Sequence, residues 1–121
     1  MSKTEFVSIT PGLPSLNIAR SVAFYTEKLG FSVIYQTESY AVIIRETIAI
    51  DLRLCDNPIL PLNTECYIWV KNITPLHDEI KAKGAIKPEN GLHDTEWGYR
   101  EFLVIDDDGN QIHFAEHVNQ P

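Results

Sequence analysis

The chain repeats one pattern of helix punctuation, and this repeat limits the possible folds more than any other feature. Asn17 and Gly30 bracket one apolar segment with helical spacing, and Asn72 and Gly84 bracket another. Asparagine is favoured at the start of a helix and glycine just past its end. The asparagines are 55 residues apart and the glycines 54. The sequence therefore predicts two copies of one helical unit.

Strand-like runs surround each predicted helix. Residues 6–10 precede the first helix, residues 66–70 precede the second, and further runs follow both. Two prolines within residues 57–62 break structure and mark the junction between the copies. Neither copy could bury a sheet alone, so we expect one domain over residues 1–121. This predicts an α+β fold of two βαβββ modules, at about residues 5–56 and 63–117.

A predicted hairpin carries the most informative local signals. Residues 100–105 and 111–115 read as strands joined by an Asp-Asp-Gly-Asn turn. At its entrance Trp97 stands beside Gly98, and a large aromatic next to an open backbone indicates a ligand wall. The acidic residues 106–108 lack the regular oxygen ligands of a calcium loop, which favours a solvated turn.

Strand alternation assigns several polar and aromatic side chains to one face of the sheets. Successive residues of a strand point to opposite faces, so these side chains lie opposite the apolar set that covers the helices. If both sheets curl, this face becomes a shared groove. The side chains predicted on it are Asp51, Arg53, Glu65, Tyr67, Trp69, Gln111 and His113.

Composition restricts the class of partner and the compartment. The net charge of -7 disfavours nucleic acid and anionic membranes and weakly favours a cationic ligand, although solubility alone explains such a charge equally well. No apolar run is long enough to span a membrane. The chain has two cysteines without metal-binding or redox spacing, and no apolar segment follows its polar start. We therefore expect a cytoplasmic protein with reduced thiols.

Four motifs together point to a known family. Residues 21–31 read Ser-Val-Ala-Phe-Tyr-Thr-Glu-Lys-Leu-Gly-Phe, and residues 104–110 read Val-Ile-Asp-Asp-Asp-Gly-Asn. Pro-Gly-Leu-Pro-Ser stands at residues 11–15 and Glu-Trp-Gly at residues 96–98. With these motifs the chain resembles the vicinal oxygen chelate superfamily, which contains glyoxalase I, extradiol dioxygenases and the bleomycin resistance proteins. The last two motifs look specific to the bleomycin resistance proteins.

The resemblance implies an assembly and an activity. It implies a cup-shaped mixed sheet and a homodimer in which each groove is completed by the partner chain. It also implies N-terminal strand exchange, with Pro11 and Pro14 near the hinge. Such proteins bind and sequester a flat, cationic glycopeptide antibiotic without chemistry, so no cofactor is expected.

The resemblance further implies which residues bind the ligand. Trp97 matches the family's stacking tryptophan, and Gly98 would let the backbone approach the ligand. Aromatic side chains hold flat ligands by stacking, and carboxylates attract their cationic tail. Trp69, Tyr67 and Tyr40 could equally fill the space between the sheets or a dimer interface, where aromatic residues are enriched. The predicted ligand-binding residues are Tyr35, Tyr40, Asp51, Glu65, Trp69, Trp97 and Gly98.

A metal-dependent enzyme is the alternative. Asp51, Glu65 and His113 match metal-ligand positions of the superfamily's metalloenzymes, and Thr10 takes the remaining position. Two carboxylates and an imidazole suit an octahedral divalent ion that acts as a Lewis acid in glyoxalase or dioxygenase-type chemistry. Thr10 is a poor ligand, however, and His113 could instead pair with one of the carboxylates.

Overall fold

The strands and helices follow one another in an order that repeats once along the chain. A computed structural model describes residues 2–118; Met1 and residues 119–121, which belong to the predicted domain, lie outside the described residues. Module one contains β1 (Gly12–Ser15), α1 (Ile18–Leu29), β2 (Ser32–Gln36), β3 (Tyr40–Arg45) and β4 (Ile48–Leu54). A one-turn helix, α2 (Ile59–Leu62), joins it to module two. Module two contains β5 (Glu65–Trp69), α3 (Ile73–Ala82), a short 3-10 helix (Pro88–Asn90), β6 (His93–Asp94), β7 (Tyr99–Ile105) and β8 (Gln111–His117).

Each module forms a four-stranded mixed sheet, and the two sheets have the same topology. The strand order is β1-β4-β3-β2 in the first sheet and β5-β8-β7-β6 in the second. The first and last strands of each module lie side by side and run parallel, whereas the other neighbours are antiparallel. The predicted α+β fold of two βαβββ modules is therefore confirmed. The sequence suggested that the two prolines of the junction break structure there. The junction instead forms the short helix α2.

Helix α1 begins and ends where its sequence predicts. The Asn17 side chain accepts a hydrogen bond from the backbone N–H of Arg20 at 3.0 Å. Gly30 follows the last turn with a φ of 72°, a left-handed conformation that favours glycine. The helix lies against β2, β3 and β4. Its buried side chains are Ile18, Ser21, Val22, Tyr25 and Leu29.

The start of helix α3 differs from the prediction. Asn72 makes no capping bond with its side chain and has a left-handed φ of 60°. The cap comes instead from Glu116 on β8, whose carboxylate accepts the backbone N–H groups of Asn72 at 2.7 Å and Ile73 at 3.0 Å. These N–H groups lack partners within the helix, and a carboxylate at this end also suits the helix dipole. The predicted stop is confirmed, since the helix ends at Ala82 and Gly84 has a φ of 78°.

The predicted first strand at residues 6–10 is wrong for the single chain. In these residues no strand forms, and β1 begins only at Gly12. Phe6, Val7 and Ile9 are 97%, 87% and 91% exposed. A strand needs a neighbouring strand for its backbone hydrogen bonds, and within residues 2–118 none pairs with this segment.

The acidic turn between β7 and β8 is buried, which corrects the prediction of a solvated turn. Asp106, Asp108 and Asn110 are at most 8% exposed. Asp108 accepts the Leu16 backbone N–H at 3.0 Å and the Ser21 hydroxyl at 3.1 Å, both from module one. The turn therefore ties the second module to the start of α1. One hydrophobic cluster also contains side chains of both modules.

Candidate functional site

One face of the second sheet is turned away from helix α3 and carries aromatic and ionisable side chains. Helix α3 lies against the opposite face of β7 and β8, where Phe102, Val104, Ile112 and Phe114 are buried. We call the side away from α3 the open face. Alternation along the four strands assigns side chains to it. They are Glu65, Tyr67, Trp69, His93, Tyr99, Glu101, Leu103, Gln111, His113, Ala115 and His117.

Five rings on this side form a continuous aromatic row. The row consists of Trp97, Tyr99, Trp69, Tyr67 and His113, and successive ring centroids are 6.3, 4.8, 5.7 and 4.4 Å apart. His113 and Tyr67 are stacked, whereas the Trp97 and Tyr99 rings are perpendicular. Successive rings contact one another, so the row is a continuous aromatic surface on which a flat ligand can stack.

Trp97 lies in the turn that precedes β7. Its side chain is 66% exposed, and its only aromatic neighbour among the described residues is Tyr99. Gly98 has a φ of 94° and accepts the Val118 backbone N–H at 3.0 Å. The left-handed φ explains why a glycine stands here. A role for Gly98 in contacting a ligand stays a prediction.

The predicted aromatic residues of module one lie on the corresponding face of the first sheet. A β-bulge between Val33 and Tyr35 brings Tyr35 opposite Val42, on the side that also carries Tyr40. The Tyr35 and Tyr40 ring centroids are 6.2 Å apart. Tyr35 is 55% exposed. The site residues predicted from the sequence thus form two groups, one on each sheet.

Asp51 already has a cationic neighbour. Its carboxylate lies 3.4 Å from the Arg53 guanidinium, which also lies over the Tyr40 ring at 5.2 Å from the centroid. A hydrogen bond to Asp51 raises the pKa of the Tyr40 hydroxyl. The charge of Asp51 is therefore shared with groups of its own chain, which weakens its expected attraction for a cationic ligand.

His113 pairs with a carboxylate, which was the second interpretation of this residue. Its Nε2 atom lies 2.8 Å from Glu65 Oε1. Asp51 belongs to the other sheet, and Thr10 lies in the exposed N-terminal segment. Within residues 2–118 of one chain, no three His, Cys, Asp or Glu side chains come together as a metal site would require. A divalent ion at Glu65 and His113 would need further ligands from water, substrate or another chain.

The sequence interpretation missed Tyr99, Glu101, His93 and His117 as candidate site residues. His117 stacks on Trp69 with a centroid distance of 4.4 Å. His93 lies in β6 opposite Glu101. Alternation along β7 was the signal that could have found Tyr99 and Glu101, because Phe102 and Val104 mark the buried face.

A sequence model of the glyoxalase/bleomycin resistance protein/dioxygenase superfamily matches residues 10–114. The chain belongs to this superfamily. None of the helices in residues 2–118 is long and apolar enough to cross a membrane.

Relatives within the superfamily are bleomycin resistance proteins. Those of Geobacillus stearothermophilus and Staphylococcus aureus are each 31% identical over 125 aligned positions, which cover 89% of this chain and 95% of theirs. The crystal structure of a bleomycin-binding protein from Streptomyces verticillus with copper(II)-bleomycin has a TM-score of 0.84 at 24% identity, covering 98% of this chain and all of that one. The bleomycin resistance determinant of transposon Tn5 has a TM-score of 0.80 at 19% identity, covering 93% and 98%. These solved structures share the fold.

Proposed function

We propose that this protein confers antibiotic resistance by binding and sequestering bleomycin, or a similar flat cationic glycopeptide, without chemical change. The observation that carries the proposal is the 31% identity to bleomycin resistance proteins over 89% of the chain. The aromatic row supports it, because stacked rings bind flat groups with about 0.5–1.5 kcal/mol per contact beyond the buried area.

Trp97 is the proposed principal stacking residue. Its 66% exposure leaves ring surface free, and it meets the Tyr99 ring edge to face. Trp69 extends the same surface, and Tyr35 and Tyr40 provide a second aromatic surface on the other sheet. Glu65 contributes negative charge at the far end of the row.

We propose a homodimer with exchanged N-terminal strands as the binding form. The exposed apolar side chains of Phe6, Val7 and Ile9 support it, because an unpaired apolar strand edge is a template for pairing with another chain. In such a dimer the first sheet of one chain and the second sheet of its partner would face each other across the ligand.

Calorimetric titration with bleomycin tests the binding function. We expect dissociation at micromolar concentration or below, and a melting temperature that rises with ligand because the ligand prefers the folded state. Trp97→Ala should weaken binding about tenfold, whereas Trp97→Phe keeps a stacking ring and should lose less. Mass spectrometry should recover the drug unchanged. Absence of both heat and thermal shift in the wild-type protein would remove bleomycin as the ligand.

Sedimentation velocity tests the assembly. The wild-type protein should sediment as a dimer at micromolar concentration, and a double variant with Phe6→Asp and Val7→Asp should sediment as a monomer. Thr4→Asp places one charge in the same segment without removing an apolar side chain and should remain dimeric. A monomeric wild-type protein would contradict strand exchange.

A further inference from the structure

Glu101 is a buried carboxylate that lacks a full set of donors. The residue is 8% exposed, and its Oε2 atom has no hydrogen-bond partner among the described residues. Its Oε1 atom lies 3.8 Å from His93 Nε2, which is beyond hydrogen-bond distance. Burial of a carboxylate oxygen without a donor costs free energy, so a donor supplied from outside would be bound favourably.

The surroundings of Glu101 connect this carboxylate to the aromatic row. Its partner across the strand pair is Ala115, whose small side chain lies opposite Trp69 on the next strand. Burial raises the pKa of the Tyr67 hydroxyl, and the negative charges of Glu101 and Glu65, with a weak hydrogen bond to Glu101, raise it further. Tyr67 is 42% exposed, and exposed side chains change rotamer within nanoseconds, so a ligand on the row can reach the carboxylate.

The open face offers Glu101 no cation of its own. Arg100 is the one lysine or arginine in strands β5 to β8, and it lies on the opposite face with its Nε atom 2.7 Å from Asp94. Module one differs, because there Arg53 accompanies Asp51. Glu65 and Glu101 together leave the open face of the second sheet with negative charge and only histidines to balance it.

We propose that Glu101 anchors a cationic group that carries N–H donors, an ammonium, guanidinium or amidinium, on a ligand whose flat part stacks on the aromatic row. This inference rests on the proposed binding function and defines the substrate class of that site. The unpartnered Oε2 atom requires a hydrogen as well as a positive charge. Charge-assisted hydrogen bonds of this kind are about twice as strong as neutral ones. A quaternary ammonium has the charge but lacks the donor.

Two small probes separate the hydrogen bond from the charge. The first is 2-naphthylmethylamine, and the second is its N,N,N-trimethylammonium analogue, which has the same ring and charge. Calorimetry on the wild-type protein should show at least about tenfold tighter binding of the primary amine. Equal affinities would overturn the proposal without any variant being needed.

Variants then assign the preference to one residue. Glu101→Gln removes the charge with little change of shape and should abolish the preference for the primary amine. Glu27→Gln removes the same charge from the exposed side of α1 and should retain it. Melting curves should show Glu101→Gln folded, since the substitution removes a buried charge whose Oε2 atom has no hydrogen-bond donor among the described residues. A preference that persists in Glu101→Gln would overturn the assignment.

Bleomycin itself distinguishes failure of this inference from failure of the proposed function. If bleomycin binds the wild-type protein and Glu101→Gln equally, the function stands and Glu101 is not the anchor. In the other outcome bleomycin fails to bind, while the wild-type protein still prefers the primary amine over the trimethylammonium analogue and Glu101→Gln does not. In that case Glu101 is the anchor, and the natural ligand is another aromatic cation.

Discussion

The Asp106 carboxylate holds the β7–β8 turn through five donors. They are the backbone N–H groups of residues 108, 109 and 110, the Asn110 amide and the Tyr25 hydroxyl. Removal of a buried acceptor leaves its donors unsatisfied, at about 1–3 kcal/mol for each group that water does not reach. Asp106→Ala should therefore lower the free energy of unfolding by about 3 kcal/mol or more in urea titrations.

An exposed aspartate provides the control for this substitution. Asp56→Ala changes an exposed residue between β4 and α2 and should alter the free energy of unfolding by less than about 0.5 kcal/mol. Similar small losses in both variants would show that the turn does not depend on its carboxylate. The sequence predicted the turn but not its burial, because Tyr25 comes from the other module and local spacing carries no information about it.

Among the helices, α3 depends on an acceptor from another element. The hydrogen bonds from the Ile73 and Asn72 backbones lower the pKa of Glu116. A lowered folded-state pKa stabilises the protein above the ordinary value of 4.5, and this contribution disappears as the pH falls through the lowered value. Glu116→Gln should therefore cost about 1 kcal/mol at neutral pH and progressively less in acid.

A substitution of Asn72 tests whether Glu116 or, as the sequence suggested, Asn72 caps the helix. Asn72→Gly keeps the left-handed φ of 60° accessible and removes a side chain that makes no capping bond, so stability should change by less than about 0.5 kcal/mol. If urea titrations showed the larger loss for Asn72→Gly, the asparagine and not Glu116 would be the cap.

Two glycines at equivalent helix ends separate backbone strain from crowding. Gly30 and Gly84 have φ values of 72° and 78°. A Cβ atom at Gly84 would meet nothing within 4 Å, whereas one at Gly30 would lie 2.8 Å from Arg45 Nη1, which also binds Glu79. Gly84→Ala should cost about 1–2 kcal/mol from strain alone. Gly30→Ala should lower the free energy of unfolding by about 1 kcal/mol more than Gly84→Ala in the same denaturation assay. Equal losses in the two variants would show that contact with Arg45 does not destabilise Gly30→Ala.

The elements show which parts of the fold could be predicted from sequence. The periodicity of the helices, the glycines at their ends and the alternation along the strands depend only on residues close in sequence. The predictions made from these signals are confirmed. The Glu116 cap and the Tyr35 bulge depend on residues brought together only by the sheet. Glu101 was missed because a single glutamate in a strand has no pattern of its own. The N-terminal segment forms no strand because no strand of residues 2–118 pairs with it.

For the whole molecule, the net charge of -7 should govern how fast a cationic ligand arrives. Long-range attraction raises the association rate, and salt screens it over about 10 Å at 0.1 M ionic strength. Stopped-flow measurements with bleomycin should show an association rate that falls as salt is added, with a nearly constant dissociation rate. A double variant, Glu27→Lys with Glu89→Lys, changes only the overall charge and should flatten this dependence. A salt-independent association rate would contradict steering.

The position of Trp69 and Trp97 gives the molecule a built-in optical probe. They are the two tryptophans of the sequence, and both belong to the aromatic row of the second sheet. Fluorescence excited at tryptophan wavelengths therefore originates from this one surface, because the core and the first sheet contain no tryptophan. Without any attached dye, changes in colour or intensity report what happens at the row, and Trp97→Phe leaves Trp69 as a single reporter.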